Sequence, residues 1–154
     1  MRSMRISAKA DYAMRAALEL AAAGDPLVKG EQIAAAQAIP LKFLEHILID
    51  LRHAGLVVSQ RGPEGGYRLD RSPDEITVAD VIRAVDGPLA AVRGERPETM
   101  SYEGPAEELL PVWIALRASV RGVLENVTLA DIASGKLPTG VRELARERDA
   151  WKRR

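Results

Sequence analysis

Any chemistry in this chain has to be carried without a thiol. Its 154 residues include no cysteine and only two histidines, which excludes disulfides, thiolate metal sites and thiol nucleophiles. His46 and His53 lie seven residues apart on one helix face, with no carboxylate–histidine spacing beside them. Zinc ligation is a poor reading of that pattern. The remaining candidate is the glycine-rich run Arg61-Gly62-Pro63-Glu64-Gly65-Gly66. A glycine-rich turn can cradle a phosphate, but that chemistry needs a Lys-Ser/Thr pair and a helix starting at once, and neither follows. The run fits the tip of a β-hairpin, where Gly62 and Gly65 permit positive φ and close backbone approach. Arg61 at such a tip is placed to enter a DNA minor groove, whose narrow electronegative channel attracts a guanidinium. No acid–base constellation is spaced for catalysis, so the chain reads as a non-enzyme.

The elements that must hold this tip follow from periodicity. Ile6, Ala10, Ala13, Ala17 and Leu20 are spaced 4, 3, 4 and 3, the face of a first helix that Gly24 and Asp25-Pro26 end. Its alanines allow close packing, while Lys9 and Arg15 lie off the apolar face. Met4-Arg5 reads as a second start, which would leave Met1 to Ser3 as a disordered extension. Gly30 to Gln37 predicts a helix of about two turns. Ala38-Ile39-Pro40 turns the chain, and a third helix runs from Leu41 to Gly55. Leu44, Ile47, Leu48 and Leu51 form its buried face, with Lys42, Glu45, His46, Ile49, Asp50, Arg52 and His53 outward. A helix pair joined by about three residues fits a helix-turn-helix, whose second helix enters the major groove by its first turns. There Glu45 can accept from cytosine N4, and Lys42 can contact phosphate or guanine, with His46 beside them. Solvated surface charge is the ordinary alternative for each. Leu56 to Gln60 and Gly66 to Asp70 then read as the strands of a wing.

Beyond the wing, Ile76 to Val85 predicts a short helix capped by Thr77, with Asp80 at the capping-box position and Gly87-Pro88 as its end. Arg93 to Gly104 carries Gly, Pro and five charges without periodicity, and reads as a loop. Leu109, Trp113, Leu116, Val120, Val123 and Val127 are then spaced 4, 3, 4, 3 and 4, a heptad seam over about 20 residues or roughly 30 Å of helix. Little chain is left to cover it, so a homodimer interface is expected. Thr128 to Ala133 is a small final helix, and the polar tail 136–154 is expected to be partly disordered. Three regions result: a winged helix-turn-helix over 1–72, an effector loop with dimerisation helices over 73–135, and the tail. The fold class is mainly α with a small β-hairpin wing.

Net charge is zero. Through Arg71 there are ten Lys/Arg against eight Asp/Glu, so +2, and the remainder carries twelve against fourteen, so −2. Affinity for DNA would therefore come from a few placed cations, doubled by dimerisation. No apolar run approaches the ~20 residues of a membrane span, and the amino terminus lacks a secretory pattern. A cytoplasmic protein is expected.

With these pieces placed, the chain resembles the Rrf2 family of bacterial regulators, of the IscR, NsrR and CymR type. The likeness covers about residues 4 to 137. It rests on Met4-Arg5-Ile6-Ser7-Ala8-Lys9 with Tyr12-Ala13, and on Ile39 to Leu56 with Phe43-Leu44-Glu45, Leu51-Arg52 and Gly55-Leu56-Val57. Arg61-Gly62-Pro63 with Gly65-Gly66-Tyr67 and Leu69, Ile76 to Asp86, and Thr128-Leu129-Ala130-Asp131 complete it. The resemblance implies a homodimer whose long helices cross, with the last short helix packing on the partner subunit. It implies binding to a double-stranded, roughly palindromic operator, usually as a repressor. The family's recognition positions fall on Lys42, Glu45, His46 and Arg61, and its phosphate-side positions on Lys9 and Tyr12.

Two departures stand out. Pro40 replaces a common Ser or Thr and so loses a hydroxyl cap. Many members also hold a two-iron, two-sulfur cluster on three cysteines, whereas Arg93 to Pro111 contains neither cysteine nor histidine. A regulator without cofactor or metal is expected. Its signal would enter at the loop, where Met100, Tyr102 and Trp113 could line a pocket for a small-molecule effector or a partner enzyme. For Trp113, core packing on the seam is the plainer reading. Cluster-free members of the family include a repressor of cysteine metabolism controlled through a partner enzyme, so a sulfur-related role is one expectation. The alternative is a dimeric winged-helix module used for protein interaction, docking on an enzyme.

Overall fold

The computed structural model describes residues 5–154. The second start at Met4 and the extension Met1 to Ser3 lie outside the described residues. Helix α1 spans Ala8–Ala23. The Ser7 hydroxyl accepts from the Ala10 N–H at 2.9 Å and so sets the boundary, because a serine cap satisfies one of the amides that a helix start leaves unpaired. Ile6, expected on the helix face, is left outside it and is 61% exposed. Ala10, Ala13, Ala16 and Ala17 are buried, and these small side chains let four other helices, the second, third, fourth and sixth of the chain, lie directly against α1.

Helices α2 (Gly30–Gln37) and α3 (Leu41–His53) form the expected pair. The turn between them passes through Ala38 at φ 52°, a left-handed conformation costing a residue with a Cβ about 1–2 kcal/mol. Pro40 stands at the α3 cap position and makes no side-chain cap bond. Leu44, Ile47, Leu48 and Leu51 are buried in one core with Leu20, Ile33, Ile76 and Leu129. Each such side chain contributes about 1.5–3 kcal/mol relative to exposure, so the face of α3 opposite these residues is the one left free.

Strands β1 (Val57–Gln60) and β2 (Gly66–Leu69) pair antiparallel, Val57 opposite Leu69 and Gln60 opposite Gly66. A third segment joins them. Val28 and Tyr67 exchange both backbone hydrogen bonds at 2.8 Å, which ties the wing to the chain just before α2.

Helices α4 (Val78–Asp86) and α6 (Leu129–Ser134) begin alike. Thr77 with Asp80, and Thr128 with Asp131, form reciprocal capping boxes at 2.9–3.1 Å. The two caps are laced together: the Val78 N–H donates to the Val127 carbonyl and the Leu129 N–H to the Ile76 carbonyl, both at 2.9 Å. Val127, expected on the dimer seam, is instead 5% exposed within this chain. Its backbone is held in that lacing, so it cannot continue a helix. The last short helix, α6, packs on α1 of its own chain with Leu129 fully buried.

Helix α5 (Leu109–Leu124) packs on α4 and on a 3-10 turn at Pro97–Thr99. Val120 and Leu124 lean on a small cluster of Ala10, Ala79, Ile82 and Leu89, so Val120 faces inward. Val112, Ala115, Ser119 and Gly122, spaced 3, 4 and 3, are exposed, and Leu109 joins them at the helix start. No α5 side chain is fully buried. The loop before α5 is more structured than predicted. Val92 and Glu95 exchange backbone bonds at 2.8 and 2.9 Å, a second 3-10 turn forms at Gly104–Ala106, and Pro97 and Met100 are buried. The tail, expected to be partly disordered, holds α7 (Thr139–Arg146) and a 3-10 turn at Arg148–Trp151. Its polar composition masked the helical spacing of Val141, Leu144 and Ala145. Among the described residues no helix is long and apolar enough to cross a membrane.

Candidate nucleic-acid interface

The core-facing leucines of α3 leave two outward strips. Lys42 and His46 stand one turn apart and exposed. Glu45, Ile49 and Arg52 occupy successive turns of the strip that faces the wing. Across from them lie Ser59, Gln60, Arg61, Gly62 and Gly65, and the two sides enclose a groove of about 550 Å³. Arg52 Nη1 donates to Ser59 Oγ at 3.2 Å, which fixes the spacing between helix and wing. The tertiary fold thus brings Glu45, Arg61, Gly62 and Gly65 to one groove, with Lys42 and His46 on the same helix outside its lining.

The wing glycines have different reasons to be glycine. Gly62 needs its positive φ of 102° and has open space around it, whereas a Cβ on Gly65 would lie 2.1 Å from the Gln60 carbonyl oxygen. A Cβ on Gly66 would lie 2.7 Å from the Val28 carbonyl, so the close backbone approach occurs at Gly65 and Gly66. The Gly65 N–H donates to the Gly62 carbonyl at 2.9 Å and closes the tip.

Lys9 Nζ lies 2.7 Å from the Asp50 carboxylate of α3, so α1 and α3 share an ion pair at their solvent edge. Tyr12 is half-buried, its ring 6.4 Å from that of Phe43 and 4.9 Å from the Arg15 guanidinium. Arg15 is no free surface cation: it reaches Asp11 at 3.0 Å and donates to the Gln37 carbonyl at 2.6 Å, clasping α1 to α2. Sequence reasoning gave no role to Arg52, Val28 or the exposed Phe43. Arg52 follows Glu45 by seven residues, two turns on the same strip, and that spacing could have found it. Nothing local marks Val28 as a strand partner.

Of the residues expected at an effector pocket, Met100 is buried and Tyr102 and Trp113 are half-buried. The Trp113 Nε1 is buried without a hydrogen-bond partner among the described residues. A cavity does open between α4, the loop and α5, but its walls are other residues.

The comparisons agree with this geometry. The Rrf2 family, described as an iron-dependent transcriptional regulator, matches residues 6–135. The chain belongs to the Rrf2 family of transcriptional regulators. A Mycobacterium tuberculosis chain named as an HTH-type transcriptional regulator is 54% identical over 143 residues, covering 92% of this chain and 89% of that one. The solved structure of CymR, the global cysteine regulator of Bacillus subtilis, superposes with a TM-score of 0.73 at 37% identity. That match covers 86% of this chain and 98% of CymR. IscR of T. potens gives a TM-score of 0.68 at 29% identity over 99% of this chain and 94% of that one. Rrf2 regulators bind DNA, and these relatives are regulators rather than enzymes. The winged helix-turn-helix expected from the sequence is the fold found.

The family description raises iron. Cluster ligation in a protein needs thiolates or imidazoles. This chain has no cysteine, both imidazoles sit on α3, and among the described residues no group of three or more His, Asp or Glu converges. The donor set does not fit an iron–sulfur cluster.

Proposed function

We propose that this Rrf2 regulator is a dimeric, sequence-specific repressor acting on bacterial DNA in the cytoplasm, and that it controls genes of cysteine or sulfur metabolism. The observation that carries the DNA-reading part is the groove between α3 and the wing. An acid that can accept from cytosine N4, Glu45, faces a wing-tip guanidinium, Arg61, across a space held by Arg52 and Ser59. Lys42 and His46 add a second strip beside the groove on the same helix, and Lys9 and Tyr12 flank it on the phosphate side. Gly62 and Gly65 shape the tip so that Arg61 can reach the minor groove.

The dimer reading rests on α5, a largely apolar helix with no fully buried side chain. Leu109, Val112 and small residues on its open face would meet their copies, with Trp113, Leu116 and Val123 beside them and Val120 supporting from within. Two such units would present recognition helices about one DNA turn apart. The sulfur reading rests on likeness to CymR, whose solved structure is described as that of a global cysteine regulator.

Selection from genomic DNA with sequencing, followed by shift assays, tests the proposal. Glu45→Ala should relax preference at one base pair by about 1–3 kcal/mol. Arg61→Ala should weaken binding to all sites. If neither changes binding, the assigned surface is wrong. If no motif is enriched at all, the chain is the protein-docking module instead, and pull-down should return an enzyme.

A further inference from the structure

The cavity of about 450 Å³ between the end of α4, the loop and α5 is walled by four arginines, Arg83, Arg96, Arg117 and Arg121. Glu95 and Glu98 also line it, and Glu125 stands behind, so four cations meet three carboxylates. These carboxylates are unevenly used. Glu125 contacts Arg83 and lies 3.8 Å from Arg121, while Glu98 pairs with Arg117. Among the described residues neither Arg96 nor Glu95 has an ion pair. Arg117 is the most telling: its side chain is only 14% exposed, and its one carboxylate partner comes from the loop. A guanidinium so far out of water needs an anion, because an uncompensated charge there is costly.

The loop that supplies Glu98 also holds two non-glycine residues in left-handed backbone, Ala90 at φ 52° and Arg93 at φ 50°. Such conformations cost of order 1–3 kcal/mol and gather at ligand clamps and switches. Leu89 and Pro97 give the cavity an apolar wall beside the cations. Guanidinium forks match carboxylate and phosphate oxygens in paired geometry.

We propose that this cavity is an effector site for a small organic dianion, a dicarboxylate or a phosphate monoester. One anionic group would displace Glu98 from Arg117, and the other would take Arg96 and Arg121, which line the same cavity. Helix α5 packs on both the Pro97–Thr99 turn and α4, and α4 packs on the recognition helix α3. Freeing Glu98 would therefore loosen the loop from α5 and shift α5 against α4. The regulatory half of this proposal rests on the DNA-binding reading; the binding half does not.

The full-length protein is titrated calorimetrically with succinate and with glycerol 3-phosphate. Acetate and sodium chloride at matched ionic strength serve as controls. At least one dianion should bind saturably, and whichever binds identifies the anionic group. Arg96→Gln and Arg121→Gln, both at exposed positions, should each weaken it about tenfold, the loss of one charge-assisted contact. No binding beyond the salt control, or unchanged binding in both variants, overturns the site. Shift assays on the selected DNA then read the coupling. Binding of the dianion with no change in DNA affinity overturns the regulatory half. A protein that takes the dianion but no DNA sequence overturns the DNA-binding reading and leaves the site standing.

Discussion

Replacing Gly65 by alanine isolates what the wing contributes. The added Cβ would sit 2.1 Å from the Gln60 carbonyl oxygen and 2.8 Å from two backbone carbons of Gln60 and Arg61. All three are main-chain atoms, so no side chain can swing aside. The tip must open by roughly 1 Å to restore ordinary contact. Opening breaks the Gly65-to-Gly62 bond of 2.9 Å and strains the terminal Gln60–Gly66 pair of the ladder. At about 1 kcal/mol for each hydrogen bond lost, plus residual strain, the cost is about 2–3 kcal/mol. The base of the wing should survive, because Leu56 and Val57 are buried in the core and Val28 still holds Tyr67. In a chain of this size that energy corresponds to a melting shift of about 5–10 °C. Arg61 moves with the tip, so DNA affinity should fall at least about tenfold. Gly62→Ala is the control: it meets open space and carries only its φ penalty, about 1–2 kcal/mol. Calorimetric melts and shift assays on both variants decide the matter. A Gly65→Ala protein that melts within about 2 °C of the parent and binds DNA equally well would refute the reasoning.

Three further outcomes follow from other parts of the fold. Val112 is 54% exposed on α5, so Val112→Glu should leave the protomer folded and abolish the dimer; light scattering coupled to gel filtration reads this, and an unchanged dimer would remove α5 as the interface. Thr128→Ala removes the hydroxyl that accepts from the Asp131 N–H at 3.0 Å and should cost about 0.5–2 kcal/mol in urea unfolding. Glu98 is held below the ordinary carboxylate value of 4.5 by its own backbone N–H and then by Arg117. A folded pKa below the unfolded one contributes stability that is present above the unfolded pKa and lost as pH falls through the folded one. Glu98→Gln should therefore lose less stability than the parent on acidification below about pH 4.5, as read by unfolding at fixed pH.

Much of the winged helix-turn-helix was legible in the sequence. The leucine spacing of α3, the glycines after Arg61 and the Thr-x-x-Asp caps of α4 and α6 are local patterns, and local backbone physics executes them as written. The errors fall where a distant segment decides. Ile6 matched the period of α1 but lost to the Ser7 cap. Val120 and Val127 matched a heptad seam, yet Val120 is drawn onto α4 and Val127 is captured by backbone bonds to Val78. The tail was misjudged because polar composition outweighed a short amphipathic period.

The sequence by itself determined which chemistry this protein can hold. Without cysteine, and with both histidines on one helix, thiolate clusters and thiol catalysis are closed to it whatever the fold. It also determined the helix pair and hairpin, because periodicity, caps and glycines act over a few residues. Only the tertiary structure decided that Glu45, Arg52 and Arg61 share one groove, that Val28 staples the wing, and that four arginines from α4, the loop and α5 surround one cavity. The physical reason is range. Side chains as far apart as Arg83 and Glu125, separated by 42 residues, meet only when buried leucines and alanines have fixed the helices that carry them, and no local pattern encodes that meeting.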